Sequence, residues 1–244
     1  MGVMFSFLNF FDIVHKQNAF NDPVVALGSL TLNESADDIR EFASKNEWWN
    51  QDDTNSVRSL LRDRYNISDY KDIDINGIAD IWIDLNKPLD PAHQNSANVI
   101  LNGGTIEHVF DVAQAIKNIH GMLKQGGSII HLLPVSWYNH GYYNFNPLLF
   151  MEIARVNNYQ LLAEGFYCNP DNLEYASKGM PINYSKQNSP AVTYITFSGI
   201  KYTEEKNQIS SSFNKATFPS NLLYMVAYKK NNSNEFVYPV DCQL

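Results

Sequence analysis

The chain has 244 residues, and its 18 basic and 26 acidic side chains give a formal charge of −8 at pH 7. A domain takes roughly 100–200 residues, so this length allows one large domain or at most two. The acidic balance argues against a dedicated nucleic-acid binder, because neutralising phosphates requires clustered Lys and Arg. The two cysteines, Cys168 and Cys242, are too far apart in the sequence to indicate a disulfide framework or a paired-thiol metal site.

Residues 1–11 are apolar, but they lack the basic residues and the small-residue cleavage pattern of a signal peptide. About ten apolar residues are also too few to span a bilayer, which takes roughly 20. We interpret this segment as a helix or an extended arm that covers a hydrophobic patch, and the alternative is a dimer contact or part of a substrate pocket. The expected location is the cytoplasm, with no membrane partner, and a homodimer is left open.

From residue 23 onward, short apolar runs alternate with helical patterns, which indicates a parallel α/β sheet in a single domain. An N-terminal arm (1–22), an insertion that could act as a lid (33–50) and a loop insertion (168–190) complete the predicted domain, 1–244. Helices are predicted at 33–49, after Asp53, at 109–123 with its end at Gly126-Gly127, and from Asn146-Pro147 onward. Strands are predicted at 23–32, 70–75, 79–85, 97–101, 128–133, 159–167, 191–198 and 221–229.

The segments that follow the predicted strands are the first place to look for a ligand, because an open α/β sheet binds ligands beyond the carboxyl ends of its strands. These segments carry acids, glycines, histidines and aromatic residues, but no basic cluster. The first of them lacks the G-x-G-x-x-G pattern that a pyrophosphate requires, and the chain has no phosphate loop. The pattern therefore favours a nucleoside-bearing cofactor without a phosphate tail.

Two segments carry a family resemblance. Residues 107–111 read Glu-His-Val-Phe-Asp, and residues 123–127 read Leu-Lys-Gln-Gly-Gly before an apolar strand that ends at Pro134. The combination resembles class I S-adenosylmethionine-dependent methyltransferases, whose typical segments are E-H-V-x-D and L-K-P-G-G. The resemblance covers residues 23–167 and is closest to a bacterial branch with G-G-T-x-E-H-V-F and N-H-G-[FY]-Y-x-[FY]-x-P segments, here at 103–110 and 139–147. It implies a Rossmann-like, doubly wound, mostly parallel seven-stranded sheet whose last strand is antiparallel.

The resemblance also implies how the chain would hold S-adenosylmethionine. Seven residues are expected around it: Gly28 and Ser29 at the methionine end, Asp74 at the ribose, Asp84 and Leu85 beside the adenine, and Asn102 and Gly103 near the sulfonium. Two positions depart from the family pattern, because Ala26 and Asn102 stand where the family usually has acids. Both changes remove negative charge near a cationic cofactor, so either the cofactor is anchored differently or affinity for it has been lost.

Methyl transfer to a hydroxyl group requires the removal of a proton, which a histidine most often performs near neutral pH. Of the six histidines, His108 and His140 lie on segments at the ligand edge, and they are the candidate catalytic residues. His131 falls inside a predicted strand, where a buried and hydrogen-bonded side chain is expected. Glu107 and His108 have an alternative structural role, which is to brace their loop through hydrogen bonds.

The candidate contacts to the acceptor are Glu107, Tyr138, Tyr142 and Tyr143. The three tyrosines surround His140, and they would form either an aromatic wall for the acceptor or packing beneath a loop. A metal ion held by Glu107, His108, His131 and His140 is a further hypothesis. The sequence disfavours it, because it shows neither a pair of histidines with the spacing of a helical metal site nor an Asp/Glu/His triad, and no metal is expected.

Three functions follow from these patterns. The leading hypothesis is S-adenosylmethionine-dependent methyl transfer to a hydroxyl or amine group of a small molecule or glycan. The alternative is a catalytically degenerate protein that keeps the methyltransferase fold for binding or assembly. A nucleotide-sugar oxidoreductase is the third, and the absent G-x-G-x-x-G pattern disfavours it.

Overall fold

The structure is a computed structural model, and it describes residues 2–3, 5–49, 57–137, 139–168 and 222–240. The α-helices in these ranges are α1 (Leu8–His15), α2 (Ala36–Lys45), α3 (Val57–Tyr65), α4 (Val112–Met122) and α5 (Pro147–Val156). The strands are β1 (Gly2–Val3), β2 (Val24–Leu27), β3 (Thr31–Leu32), β4 (Tyr70–Asp74), β5 (Ile81–Trp82), β6 (Ala97–Asn102), β7 (Leu123–Ser136), β8 (Tyr159–Cys168) and β9 (Leu222–Lys230). None of the described helices is long and apolar enough to cross a bilayer.

Seven of the strands form one sheet in the order β5-β4-β2-β6-β7-β9-β8. Each neighbouring pair from β5 to β7 is parallel, whereas β9 is antiparallel to both β7 and β8. The expected mostly parallel, seven-stranded sheet with an antiparallel last strand is therefore confirmed. The strand order reverses between β2 and β6, so the loops after these two strands leave the same edge of the sheet at its switch point.

The central strands are mostly apolar because helices cover both faces of the sheet. Val24 and Ala26 of β2 belong to one buried cluster, which α1 and α3 complete. Val25 and Leu27 of the same strand belong to a second cluster, on the face covered by α4 and α5. This alternation follows from the period of two along a strand, which turns successive side chains to opposite faces.

The N-terminal segment covers the first of these faces. Four side chains of α1 are buried in the first cluster, and Phe7 packs edge-on against Tyr167 of β8 with 5.2 Å between ring centroids. The Gln17 side-chain amide donates a hydrogen bond of 3.0 Å to the Leu162 carbonyl oxygen. Beyond α2, Trp49 is buried edge-on against Phe5. This indole therefore anchors the 33–50 insertion to the N-terminal segment.

Two predicted boundaries are wrong. The strand expected at 23–32 ends at Leu27, because Gly28 turns the chain with a φ of +76°, and β3 pairs with β1 in a separate two-stranded sheet. The helix expected to reach residue 123 ends at Met122, and Leu123 already begins β7. The amino group of Lys230, which is 3% exposed, donates hydrogen bonds of 2.7 and 2.9 Å to the His120 and Leu123 carbonyl oxygens, so it satisfies this helix end.

The other predicted elements have close counterparts in the structure. As expected, Asn146 is the N-cap of α5, and its side chain accepts a hydrogen bond of 3.0 Å from the Leu148 amide. Gly126 does take a left-handed φ of +80°, but it lies near the start of β7 and not at the helix end. The strand expected at 191–198, the cap expected at Thr54 or Asn55, and residues 169–190 of the loop insertion lie outside the described residues.

Candidate active site

Asn102 organises the loop that follows β6. It is the last residue of β6 and is 0% exposed, and its Oδ1 accepts hydrogen bonds from the amides of Thr105 (3.0 Å) and Ile106 (3.3 Å). Its Nδ2 donates to Nδ1 of His131 across 3.0 Å. Burial lowers the pKa of His131 to about 3, so the ring is neutral and its Nδ1 is free to accept this bond.

This arrangement explains why an amide stands where the family usually has an acid. A carboxylate at position 102 would still accept the two amide bonds, but it has no N–H to offer His131. Asn102 is predicted to lie near the sulfonium of the cofactor, and both ends of its side chain make hydrogen bonds within the protein.

The loops after β2 and β6 pack directly against each other. A Cβ at Gly28 would lie 2.8 Å from Thr105 Oγ1, and a Cβ at Gly103 would lie 2.8 Å from Leu30 Cδ2. Both expected cofactor glycines thus make room for a side chain of the protein itself. Ser29 lies between these contacts, and its buried hydroxyl oxygen has no hydrogen-bond partner. An unpaired buried hydroxyl is unfavourable, which makes it a candidate contact for a ligand.

Asp74 ends β4 at the same edge of the sheet. Its Oδ1 accepts a 2.6 Å hydrogen bond from the Ile75 amide, and its Oδ2 accepts one of 3.0 Å from the Asn76 side chain. The side chains of Ile75 and Ile78 beside it are largely exposed. A carboxylate offers about four lone-pair sites, so Asp74 retains the capacity to accept hydrogen bonds from a ligand next to an apolar surface.

The two residues expected beside an adenine differ in their surroundings. Asp84 accepts two 3.0 Å hydrogen bonds from Asn86, and these bonds, with nearby Lys87, hold the pKa of the Asp84 carboxyl below its ordinary value. Leu85 is buried in the second cluster, and its carbonyl oxygen accepts a hydrogen bond from the Asn118 side chain. Asp84 is therefore the more accessible of the two.

Glu107, His108 and His140 come together although two different loops carry them. Glu107 and His108 lie on a short 3-10 turn, Ile106–His108, which follows β6, and His140 lies on the loop after β7. One potential ligand atom from each side chain lies within 4.8 Å of the others. Glu107 Oε1 is 3.5 Å from His140 Nε2, and neither that nitrogen nor Glu107 Oε2 has a hydrogen-bond partner.

The loop after β7 is held tightly against this turn. The Tyr142 amide donates a 2.8 Å hydrogen bond to the Glu107 carbonyl oxygen, and a Cβ at Gly141 would lie 2.8 Å from the same oxygen. Trp137 stacks on His140 with 3.8 Å between ring centroids and an interplanar angle of 12°. Sequence reasoning missed Trp137, although its place three residues before His140 was a usable signal.

Burial sets the charges of this cluster. Glu107 is 1% exposed, and burial raises the pKa of its carboxyl to about 8, so it is mostly protonated at pH 7. Burial also lowers the pKa values of His108 and His140, and the neighbouring His108 ring lowers that of His140 further. The cluster is therefore close to neutral, with an unpaired imidazole nitrogen beside an unpaired carboxyl oxygen.

The remaining predicted residues lie around or apart from this cluster. Tyr142 is 69% exposed, and its ring packs edge-on against Phe110. The Tyr143 hydroxyl donates a 2.6 Å hydrogen bond to the Phe110 carbonyl oxygen. Tyr138 lies outside the described residues. His131 is hydrogen-bonded to Asn102 and lies outside the three-residue cluster. The structure therefore brings together only three of the four residues in the metal set considered from the sequence.

Comparisons with known proteins add structural neighbours. No family model matches the chain, and no curated protein matches it. Solved structures with a similar architecture include a SAM-dependent methyltransferase from Archaeoglobus fulgidus, at 13% identity over 92% of this chain and 94% of that chain, with a TM-score of 0.46. A putative sarcosine dimethylglycine methyltransferase from Galdieria sulphuraria, at 12% identity, covers 91% of this chain and 86% of its own, with a TM-score of 0.43.

The strand order, and not these distant matches, decides the fold. In the sheet, the antiparallel strand β9 lies between β7 and β8, the other strands are parallel, and the strand order reverses between β2 and β6. The chain has the class I methyltransferase fold. The resemblance noted in the sequence is thus confirmed at the level of the fold. In this fold, the loops after β2, β4, β6 and β7 share one edge, where the residues described above lie.

Proposed function

We propose that this protein transfers a methyl group from S-adenosylmethionine to a hydroxyl or amine group of a small molecule or glycan. The observation that carries the proposal is the class I methyltransferase sheet, with polar groups at the carboxyl ends of its strands. Ser29, Asp74 and the cluster of Glu107, His108 and His140 all follow such ends. Fold alone does not assign a function, which depends on what these side chains can bind.

The residues on the cofactor side fit a nucleoside with an amino-acid tail. Asp74 accepts three hydrogen bonds, from the Ile75 and Asn76 amides and the Asn76 side chain, which leaves about one of its four lone-pair sites for a ribose hydroxyl. The apolar side chains of Ile75 and Ile78 lie exposed beside it. The unpaired hydroxyl of Ser29 suits the polar methionine end. When bound, S-adenosylmethionine supplies an electrophilic methyl carbon, and the protein's task is to orient the acceptor towards it.

On the acceptor side, His140 is the candidate for removing the proton. Burial lowers the pKa of its ring, one face of which stacks on Trp137. Its Nε2 makes no hydrogen bond, although Glu107 Oε1 lies 3.5 Å away, and in the tautomer with the proton on Nδ1 this nitrogen can accept a proton. Glu107 has a free carboxyl oxygen with which to orient an acceptor hydroxyl, and His108 borders the same space. The exposed ring of Tyr142 offers an apolar surface for a sugar or an aromatic acceptor.

Calorimetric titration with S-adenosylmethionine and with its demethylated product tests the proposal. We expect both to bind, and Asp74→Ala to weaken binding about 10-fold or more, because hydrogen bonds to a charged group contribute roughly 1.5–3 kcal/mol. Asp69→Ala is the matched control, since Asp69 precedes the opposite end of the same strand. The absence of heat at millimolar ligand would refute the proposal, and equal losses in both variants would refute the role of Asp74.

A specific observation favours a second candidate, a binding or assembly protein that keeps the fold without catalysis. Ala26 is fully buried and Asn102 is committed to His131, so neither places a carboxylate beside a cationic sulfonium. Turnover distinguishes the two functions. If the protein is an enzyme, His140→Ala should abolish methyl transfer and leave cofactor affinity unchanged. Cofactor binding without turnover of any acceptor in a broad library would favour the second candidate.

A further inference from the structure

We propose that Glu107, His108 and His140 form a binding site for a divalent transition-metal ion of the zinc class. The ion would occupy the His140 Nε2 atom that the proposed methyl transfer uses as a base, but metal affinity is measured without cofactor or acceptor, so the two proposals can fail separately. It draws on three separate observations: the chemistry of the donors, the distances between them, and the buried atoms that have no other partner.

The donor set indicates which kind of ion the site would take. Two imidazoles and one carboxylate are a common set of three protein ligands for zinc, with the remaining position open to water or substrate. Imidazole nitrogen suits zinc and its neighbours in the first transition series, whereas magnesium and calcium prefer sites built from oxygen. The proposed site therefore selects against magnesium.

The distances fit a single bound ion. Zinc bonds to nitrogen and oxygen are about 2.0–2.2 Å long, which separates two tetrahedral ligands by about 3.3 Å. Glu107 Oε1 and His140 Nε2 are 3.5 Å apart. All three potential ligand atoms lie within 4.8 Å of one another, and His108 is the exposed member of the set.

Two buried atoms lack partners at this same place. Neither Glu107 Oε2 nor His140 Nε2 makes a hydrogen bond, although Glu107 is 1% exposed. If the role of Glu107 were only to brace the loop, both of its carboxyl oxygens should be hydrogen-bonded, because buried polar groups in proteins nearly always are, and Oε2 is not. A metal ion would coordinate both side chains at once.

The ligands are also held in place before any ion binds. The ring of His140 is fixed by its stack on Trp137, and the backbone of Glu107 is fixed by the Tyr142 amide and by close packing of Gly141. Such support from surrounding groups orients the ligands of a metal site and raises its affinity. His108 remains accessible, which gives the ion a path of entry.

The test uses the full chain without a polyhistidine tag, stripped with a chelator and kept free of S-adenosylmethionine. Titration with Co²⁺ should give visible absorption bands of four- or five-coordinate cobalt that saturate at one ion per chain. Addition of Zn²⁺ should then displace the cobalt, whereas Mg²⁺ should not. A protein that binds neither Co²⁺ nor Zn²⁺ would overturn the proposal and leave the proposed methyl transfer untouched.

Variants locate the site. Glu107→Gln, His108→Ala and His140→Ala should each weaken Co²⁺ binding roughly 100-fold or more, because losing an outer partner of a metal ligand alone costs 10- to 100-fold. His93→Ala is the matched control, since His93 precedes the opposite end of β6, and its affinity should equal that of the unchanged chain. Unaltered binding in the three cluster variants would refute the assignment.

Folding of the variants is checked by circular dichroism. Glu107→Gln keeps the shape of the side chain, and if it nevertheless fails to fold, His108→Ala decides the matter because His108 is exposed. A folded His108→Ala protein that binds Co²⁺ as tightly as the unchanged chain would overturn the proposal.

Discussion

Replacing Asn102 by alanine should destabilise the protein severely. The change removes three hydrogen bonds, and it leaves the Ile106 amide and the Nδ1 atom of His131 buried without a partner. Each buried group that loses its partner costs about 1–3 kcal/mol, so the expected loss is about 2–6 kcal/mol. A typical domain is stable by only about 5–15 kcal/mol, so this single side chain carries a large share of the total.

Urea unfolding followed by tryptophan fluorescence measures this loss. The midpoint should fall while the slope of the transition stays the same, because the surface exposed on unfolding is unchanged. Asn9→Ala, on the exposed side of α1, is the control, and it should stay within about 0.5 kcal/mol of the unchanged chain. A loss below about 1 kcal/mol for Asn102→Ala would contradict the role assigned to its side chain.

Three further changes probe other parts of the fold. In urea unfolding, Gly28→Ala should cost about 1–3 kcal/mol more stability than Gly77→Ala. Both glycines have a left-handed φ, but of the two only Gly28 has a neighbour within 4 Å of an added Cβ. Equal losses of stability would contradict this difference in packing. Burial depresses the pKa of His131, so below pH 6.5 the unfolded chain binds a proton that the folded chain does not. As pH falls, the unchanged protein should therefore lose stability relative to His131→Asn, by up to about 1.4 kcal/mol per pH unit. Parallel pH profiles of stability for the two proteins would refute this. Lys230→Met should destabilise the protein by about 2–3 kcal/mol, because two hydrogen bonds at the end of α4 are lost. The same change at its more exposed neighbour, Lys229→Met, should have little effect. Similar thermal unfolding of the two variants would contradict the role of Lys230.

Much of the fold could be predicted because it depends on local patterns. The apolar runs of β2 and of Val99–Leu101 in β6 indicate central strands, and the spacing of Ile116 and Ile119 marks the inward face of α4. Asn146 followed by proline predicts the start of α5 correctly. These signals lie within a few residues of the elements they specify, so one sequence is enough to find them.

The roles of individual site residues depend on partners far away in the sequence. Asn102 meets His131 29 residues later, and no local pattern distinguishes this partner from a bound cofactor. The meeting of Glu107 with His140 depends on Gly141, which lets the loop after β7 pack against the Glu107 carbonyl oxygen. Residue spacing predicts that both loops lie at one edge of the sheet and disfavours a metal site, but it contains no distances between side chains on different loops.

The covering of the sheet by α1 affects how this chain can fold during synthesis. The contact between Gln17 and Leu162 joins residues 145 positions apart, and Phe7 meets Tyr167 across a similar interval. On the ribosome, α1 can meet β2 and α3 early, but the part of its surface that packs on β8 stays uncovered until β8 is made. Long-range contacts of this kind slow folding and leave apolar surface open to aggregation. We therefore expect the last stage of folding to be the closing of β8 against the N-terminal segment.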